Sequence, residues 1–173
     1  MTKASTFTLL IGILIFTLSC RNEKSDLTII DKESIVDSAK ITVQKVFDLS
    51  NNLKFEDGLN YYSGDSDAYY INNGTILTLA DLKESYRQIG SSVEILKNTI
   101  DDWNSTVLSE NTVAFTLPVQ LKIKLTGIPE YNGRLVWSGI VQNRNDKWII
   151  IQSHESWLNC AEVISALTPS NEN

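Results

Sequence analysis

Apolar residues recur along this chain with two different periods, and the change of period divides it. From Ser34 to Ser50, the positions Ile35, Ala39, Val43, Val46, Phe47 and Ser50 follow at intervals of three and four, one stripe of an amphipathic helix. Ser34 stands where an N-cap belongs, Asp37 is the acidic residue three positions on, and Asn51-Asn52 mark the end. A short second helix is expected over Phe55–Tyr61, broken near Gly58. Strand-like residues follow at Asp67–Ile71 and Thr75–Leu77, joined by a turn at Asn73-Gly74. Thr78 then caps a third helix, Leu79 to Ile89, which stops at Gly90.

Beyond Gly90 the period becomes two. Val113, Phe115, Leu117, Val119, Leu121, Ile123 and Leu125 alternate with Ala114, Thr116, Pro118, Gln120, Lys122 and Lys124. Such alternation predicts a long strand with one buried and one wet face. Pro118 has no N–H for a ladder, so a bulge or an edge is expected there. Two further long strands, Arg134–Asn143 and Lys147–Trp157, flank Arg144-Asn145-Asp146, and Asn132-Gly133 suits a tight turn before them. A less regular strand, Ser92 to Leu108, carries Val93, Ile95, Trp103 and Val107 on one parity. Helices first and long strands afterwards make an α+β fold: a curved antiparallel β-sheet wrapped around about three N-terminal helices, leaving a conical cavity.

The N-terminus changes the picture of where this domain works. Lys3 precedes an apolar stretch from Phe7 to Leu18, too short for a membrane-spanning helix, which needs about 20 apolar residues, and shaped like a secretory signal. Leu18-Ser19-Cys20 resembles the lipobox of bacterial lipoproteins, with Thr17 where that motif usually has Leu. The resemblance implies a signal peptide over 1–19 and lipid on Cys20, so that the palmitate-like acyl chains tether the protein to a membrane of the bacterial cell envelope. Polar residues 20–33 read as the tether, 34–158 as the domain and 159–173 as a tail. Lipidation of Cys20 leaves Cys160 without a disulfide partner. Loss of Lys3 with the signal takes the net charge from −6 to −7. An acidic domain without Lys/Arg clusters is not built to neutralise phosphates, which argues against nucleic acid as a partner.

The order of elements carries a resemblance of its own. A long helix, a short helix ending in "YYS", a strand with a Gly turn, a capped helix and long strands, closed by "WIIIQSHESW" (Trp148 to Trp157), resemble the nuclear transport factor 2-like superfamily. Its SnoaL-like and ketosteroid-isomerase-like proteins have a similar final strand, opened by Trp and closed by His-x-Ser. The resemblance implies a conical pocket and pairing into homodimers through the outer faces of the sheets. It does not carry over the catalytic sets. The isomerase pattern wants a Tyr in the first helix and a carboxylate near the first strand turn, and this chain has no Tyr between Ser34 and Ser50 and has Asn72 and Asn73 at the turn. The dehydratase pattern wants two histidines, and His154 is the only one. An Asp-Arg-Asp hydrolase network from Asp101, Asp102 and Arg134 is not required by their spacing.

No catalytic residue is assigned, and His154 is the one candidate, open to three readings: a side chain that fills a polar niche with hydrogen bonds, a pocket contact, or an acid/base. Strict strand parity puts it on one face with Trp148, Ile150, Gln152 and Ser156, and the resemblance makes that face the inward one. The expected pocket residues are His154, Ser156, Trp148, Tyr69 and Trp103, with Cys20 as the lipid site. One His and one free Cys are too few for zinc, no Gly-rich phosphate loop is present, and no cofactor or metal is expected. The function read from the sequence is that of a membrane-anchored, extracytoplasmic domain binding a small apolar molecule or a partner. The alternative is a pocket enzyme, an isomerase, dehydratase or hydrolase, using His154.

Overall fold

The computed structural model describes residues 27–72 and 74–167. The stretch read as a signal peptide, Cys20 and the first part of the expected tether lie outside the described residues. The chain runs α1 (Ile29–Asn51), α2 (Phe55–Leu59), β1 (Tyr69–Asn72), β2 (Thr75–Leu77), α3 (Leu79–Gly90), β3 (Val93–Ile100), β4 (Asn104–Ser109), β5 (Thr112–Leu125), β6 (Tyr131–Arg144), β7 (Lys147–Trp157) and α4 (Cys160–Leu167). The strands form one sheet in the order β2-β1-β7-β6-β5-β3, with β4 on the same side of β5 as β3. All pairings are antiparallel except β1 with β7, which run parallel.

α1 begins earlier than its apolar stripe suggests. Thr28, not Ser34, is the N-cap: its Oγ1 accepts from the Asp31 N–H at 3.2 Å, and the Asp31 carboxylate accepts from the Thr28 N–H at 3.1 Å. This reciprocal pair satisfies two backbone donors that a helix start leaves free. The extra turn holds Ile29 and Ile30 in solvent, so it adds nothing to the buried stripe from which the start was read. The inward stripe is Ala39, Thr42, Val43 and Phe47. At the other end, Asn51 Nδ2 donates to the Asn98 carbonyl and Asn51 Oδ1 accepts from the Asn98 N–H, tying α1 to β3.

β5 is the spine of the sheet. Its residues Val113, Phe115, Leu117, Val119 and Leu121 are all buried against the helices, as their period predicts. Pro118 makes no bulge, since β5 pairs with β6 in unbroken register from Thr112 to Ile123. The irregularity sits in the neighbour instead. The expected strand over Ser92–Leu108 is split into β3 and β4 by Asp101–Trp103, directly beside Pro118, whose carbonyl accepts from the Asp101 N–H. A ladder strand that meets a missing donor is interrupted there.

Three other expectations change. The turn before β6 is at Gly127, with φ of 75°, and Asn132-Gly133 lie inside β6. The β6–β7 connection is one residue shorter than the expected Arg144-Asn145-Asp146, since Arg144 ends β6 and the turn is Asn145-Asp146, both at positive φ. Residues Cys160–Leu167, read as tail, form α4, whose Val163 is buried.

Candidate functional site

The helices and the inner face of the sheet leave a cavity of about 560 Å³, within the range of small-molecule pockets. α1 contributes Val46 and Phe47 to its wall, α2 Leu59, α3 Tyr86 and Ile89, β5 Leu121 and Ile123, β6 Leu135 and Trp137, and α4 Val163 and Leu167. Most of this lining is apolar because every contributing element presents its period-two or period-3.6 buried positions here.

β7 is what makes the cavity polar at one place. Between β6 and β7 the register slips by one residue: Ile140 pairs with Gln152, yet Val141 pairs with Ile150. Ile151 is the extra residue of a β-bulge, and it exchanges the two faces of the strand. Before the bulge Ile150 points inward and is fully buried. After it the inward residues are Ser153, Glu155 and Trp157, of which Glu155 and Trp157 line the cavity. Glu155 lies opposite Asn72 of β1 on one side and opposite Trp137 of β6 on the other. Neighbouring strands are ~4.8 Å apart, so Asn72, Glu155 and Trp137 form one cross-strand row on the cavity wall. Trp137 can lie flat along β6 because Gly139 follows it; a Cβ on Gly139 would meet the indole below 3.0 Å.

The electrostatics of this row are unusual for so apolar a place. Glu155 makes no hydrogen bond or ion pair among the described residues, and burial alone pushes its pKa upward. Tyr62 is buried, and its hydroxyl is held protonated by desolvation and then by the Glu155 charge, with hydrogen bonding to Ser153 and Trp137 offsetting part of this. Tyr86 is pushed up first by Glu155, then by burial and by Tyr62. Two further polar atoms, Asn72 Oδ1 and Trp157 Nε1, are buried with no hydrogen-bond partner among the described residues. An unpaired buried donor or acceptor costs about 1–3 kcal/mol, and native proteins keep few of them.

None of the five pocket residues expected from the sequence lines this cavity. His154 and Ser156 are turned to the outer face by the Ile151 bulge; His154 lies beside Ser138 and Ile71. Trp148 is inward of the bulge but packs on the core near α1, where Thr42 Oγ1 donates to its carbonyl at 3.1 Å. Tyr69 is 39% exposed, and its neighbour Tyr70 takes the inward position, donating to the Ser63 carbonyl at 2.6 Å. Trp103 sits edge-on to Phe115 with Lys40 Nζ 4.5 Å above its ring. Asp101 and Arg134 do pair, at 2.7 Å, with Gln120 on the same carboxylate, but they lie outside the cavity, and Asp102 caps the Trp103 N–H. The signal missed was Glu155 itself, a carboxylate in an apolar strand two residues before a Trp.

No protein-family model matches the chain, and no curated protein does. Solved structures match it closely in shape. A candidate dehydratase of the NTF2-like family from Streptomyces avermitilis is 15% identical with a TM-score of 0.64, over 73% of this chain and 98% of that one. A candidate scytalone dehydratase from Novosphingobium aromaticivorans is 10% identical with a TM-score of 0.68, over 76% and 89%. A nuclear transport factor 2-like superfamily protein from Salmonella enterica is 11% identical with a TM-score of 0.66, over 82% and 99%. At such identities the likeness establishes the fold: this chain has the nuclear transport factor 2-like architecture.

Proposed function

We propose that this protein binds a small, largely apolar molecule in the cone, held at its polar end by the Asn72–Glu155–Trp157 group. The observation that carries this reading is the pair of unpartnered buried atoms, a donor at Trp157 Nε1 and an acceptor at Asn72 Oδ1, both in residues that line an apolar cavity of about 560 Å³. A ligand carrying one polar group satisfies these atoms once the Asn72 and Trp157 side chains turn toward it, and fills the apolar remainder. Trp137 and Trp157 are in the wall, so binding is readable from tryptophan fluorescence. Titration with a panel of cyclic and aromatic compounds is expected to give saturable changes, and Trp157→Phe, which keeps a ring but removes the N–H, is expected to weaken binding about tenfold. A panel in which nothing saturates would remove this reading.

A second reading is favoured by Glu155. A carboxyl whose pKa is raised in an apolar pocket, next to two protonated phenols, is equipped to exchange a proton with a bound molecule. In this reading the acid/base is Glu155, not His154, and the reaction class is isomerisation or elimination, in keeping with neighbours described as dehydratases. Its test is deuterium uptake at carbon by candidate ketones in heavy water. Uptake that Glu155→Gln leaves intact would rule Glu155 out.

The location proposed for the pocket is outside the cytoplasm, on a lipid tether at Cys20. This rests on the N-terminal pattern alone, and Cys20→Ser is expected to move the protein from the membrane fraction to the soluble one.

A further inference from the structure

We propose that the polar end of the cone recognises an ammonium group, with the Glu155 carboxylate and Asn72 Oδ1 as its acceptors, so that the ligand is a small apolar amine. The proposal rests on the reading of the cone as a ligand pocket and adds the charge of what enters it. Three observations lead there. First, Glu155 is the only acid among the lining residues, and these include no Lys, Arg or His. A carboxylate withdrawn from bulk water normally has an ion pair or a full set of hydrogen-bond donors, and Glu155, half-buried in the cavity wall, has neither among the described residues.

Second, the residue facing Glu155 across the β1–β7 pairing is Asn72, and the atom it leaves unpartnered is an acceptor. The two acceptors stand on paired residues, and with the Asn72 amide turned toward the cavity they are complemented by a group with several donors, of which an ammonium has three. Third, the remaining neighbours of this point are aromatic. Trp137 faces Glu155 from β6, and Tyr62 and Tyr86, which feel its charge, stand on the α2–β1 connection and on α3. Aromatic faces attract a cation and do nothing for an anion. The groups around Glu155 are thus two phenols, an amide, the indoles of Trp137 and Trp157 and the Ser153 hydroxyl on its own strand, and none of them supplies the positive charge.

Proton bookkeeping follows from the desolvation of the empty site. Burial makes Glu155 hold its proton more tightly than in water. An amine that enters as its ammonium form displaces to solvent whatever proton Glu155 holds at that pH, and leaves an ammonium–carboxylate pair. Affinity for the amine therefore rises with pH until Glu155 is ionised in the free protein, and affinity for an uncharged ligand does not rise.

The experiment is calorimetric titration of the folded protein with three probes of one shape: adamantyl methylamine, adamantyl methanol and adamantane carboxylate. Each is measured in two buffers of different ionisation enthalpy. The expected result is that the amine binds about tenfold more tightly than the alcohol, with protons released to the buffer in smaller amount as pH rises, and the carboxylate weakest. Glu155→Gln is expected to bring the amine down to about the alcohol's affinity in protein of native circular dichroism. An alcohol that binds as tightly as the amine, or a carboxylate that binds best, overturns the ammonium proposal while the pocket stands. Absence of binding by all three to protein of native circular dichroism overturns the proposal and removes its support from the pocket reading.

Discussion

Two neighbouring residues of β7, His154 and Glu155, exchange the roles that strict alternation would give them, and the exchange decides the chemistry of the cone. Glu155 is inside with its pKa raised, so the folded state binds its proton more tightly than the unfolded state, whose value is near 4.5. The slope of stability with pH is then negative: the penalty is absent below the unfolded pKa, grows as pH rises above it, and is complete above the folded pKa. Glu155→Gln keeps the shape and removes the titration. It is expected to melt a few degrees higher than the wild type in mildly basic buffer and at nearly the same temperature in acid, in thermal scans across pH. A variant that is less stable at every pH would show that Glu155 has a partner holding it charged. Gly139 gives a second prediction at this scale. A methyl group there displaces the Trp137 indole, so Gly139→Ala is expected to cost about 1–3 kcal/mol, as overpacking does, and to shift the tryptophan fluorescence. An unchanged spectrum and denaturation midpoint would mean the indole has room to give.

At the scale of elements, the periodic segments were legible and the interruptions were not. β5 shows its buried face in the sequence because six alternate apolar residues, Val113 to Ile123, lie on an unbroken register. The β6–β7 turn is legible because Asn145-Asp146 tolerate positive φ. The bulge in β7 is different: it falls within Ile149-Ile150-Ile151, where three identical side chains give no sign of which one is extra. Parity counted through that run puts His154 and Ser156 on the face of Ile150, which the resemblance makes the inward one; the bulge turns both outward, while Trp148, which precedes it, keeps the inner face. α4 was missed for another reason, since eight residues at the end of a chain read as tail unless their partner is known. Caps, by contrast, are local and readable. Thr78 and Asp81 form the same reciprocal pair as Thr28 and Asp31. Thr78→Ala is expected to lower stability by about 1 kcal/mol, seen as a lower urea midpoint. Tyr86 and Ile89 lie two turns further along α3, so ligand affinity is expected to hold. A matching loss of affinity would place the cap in the site's own machinery.

For the whole molecule, the sheet curls around α1, α2 and α3 without closing, and the cavity is completed from outside that frame by α4. Arg144, at the end of β6, donates to Asp65 and Asp67 at 2.5 and 2.8 Å and so fixes the α2–β1 connection to the sheet, with both carboxylates largely exposed. The frame therefore has its own fastenings, while α4 follows β7 directly and lends Val163 and Leu167 to the wall. Two aliphatic contacts of this kind are worth ~1.5–3 kcal/mol each when fully buried, too little to hold a seven-stranded sheet together and enough to set how long a ligand stays. Removal of residues 160–173 is accordingly expected to leave a cooperative unfolding transition a few degrees lower. Ligand dissociation is expected to accelerate about tenfold, which corresponds to ~1.4 kcal/mol, and binding of an apolar fluorescent dye to increase. Stopped-flow release of a bound fluorophore measures the rate, and a thermal scan measures the frame. If the truncated chain fails to unfold cooperatively, α4 is part of the core that defines the fold. If it unfolds cooperatively and releases ligand at the original rate, the ligand sits deeper, against Glu155 and Trp137, and α4 walls a part of the cavity that the ligand does not reach.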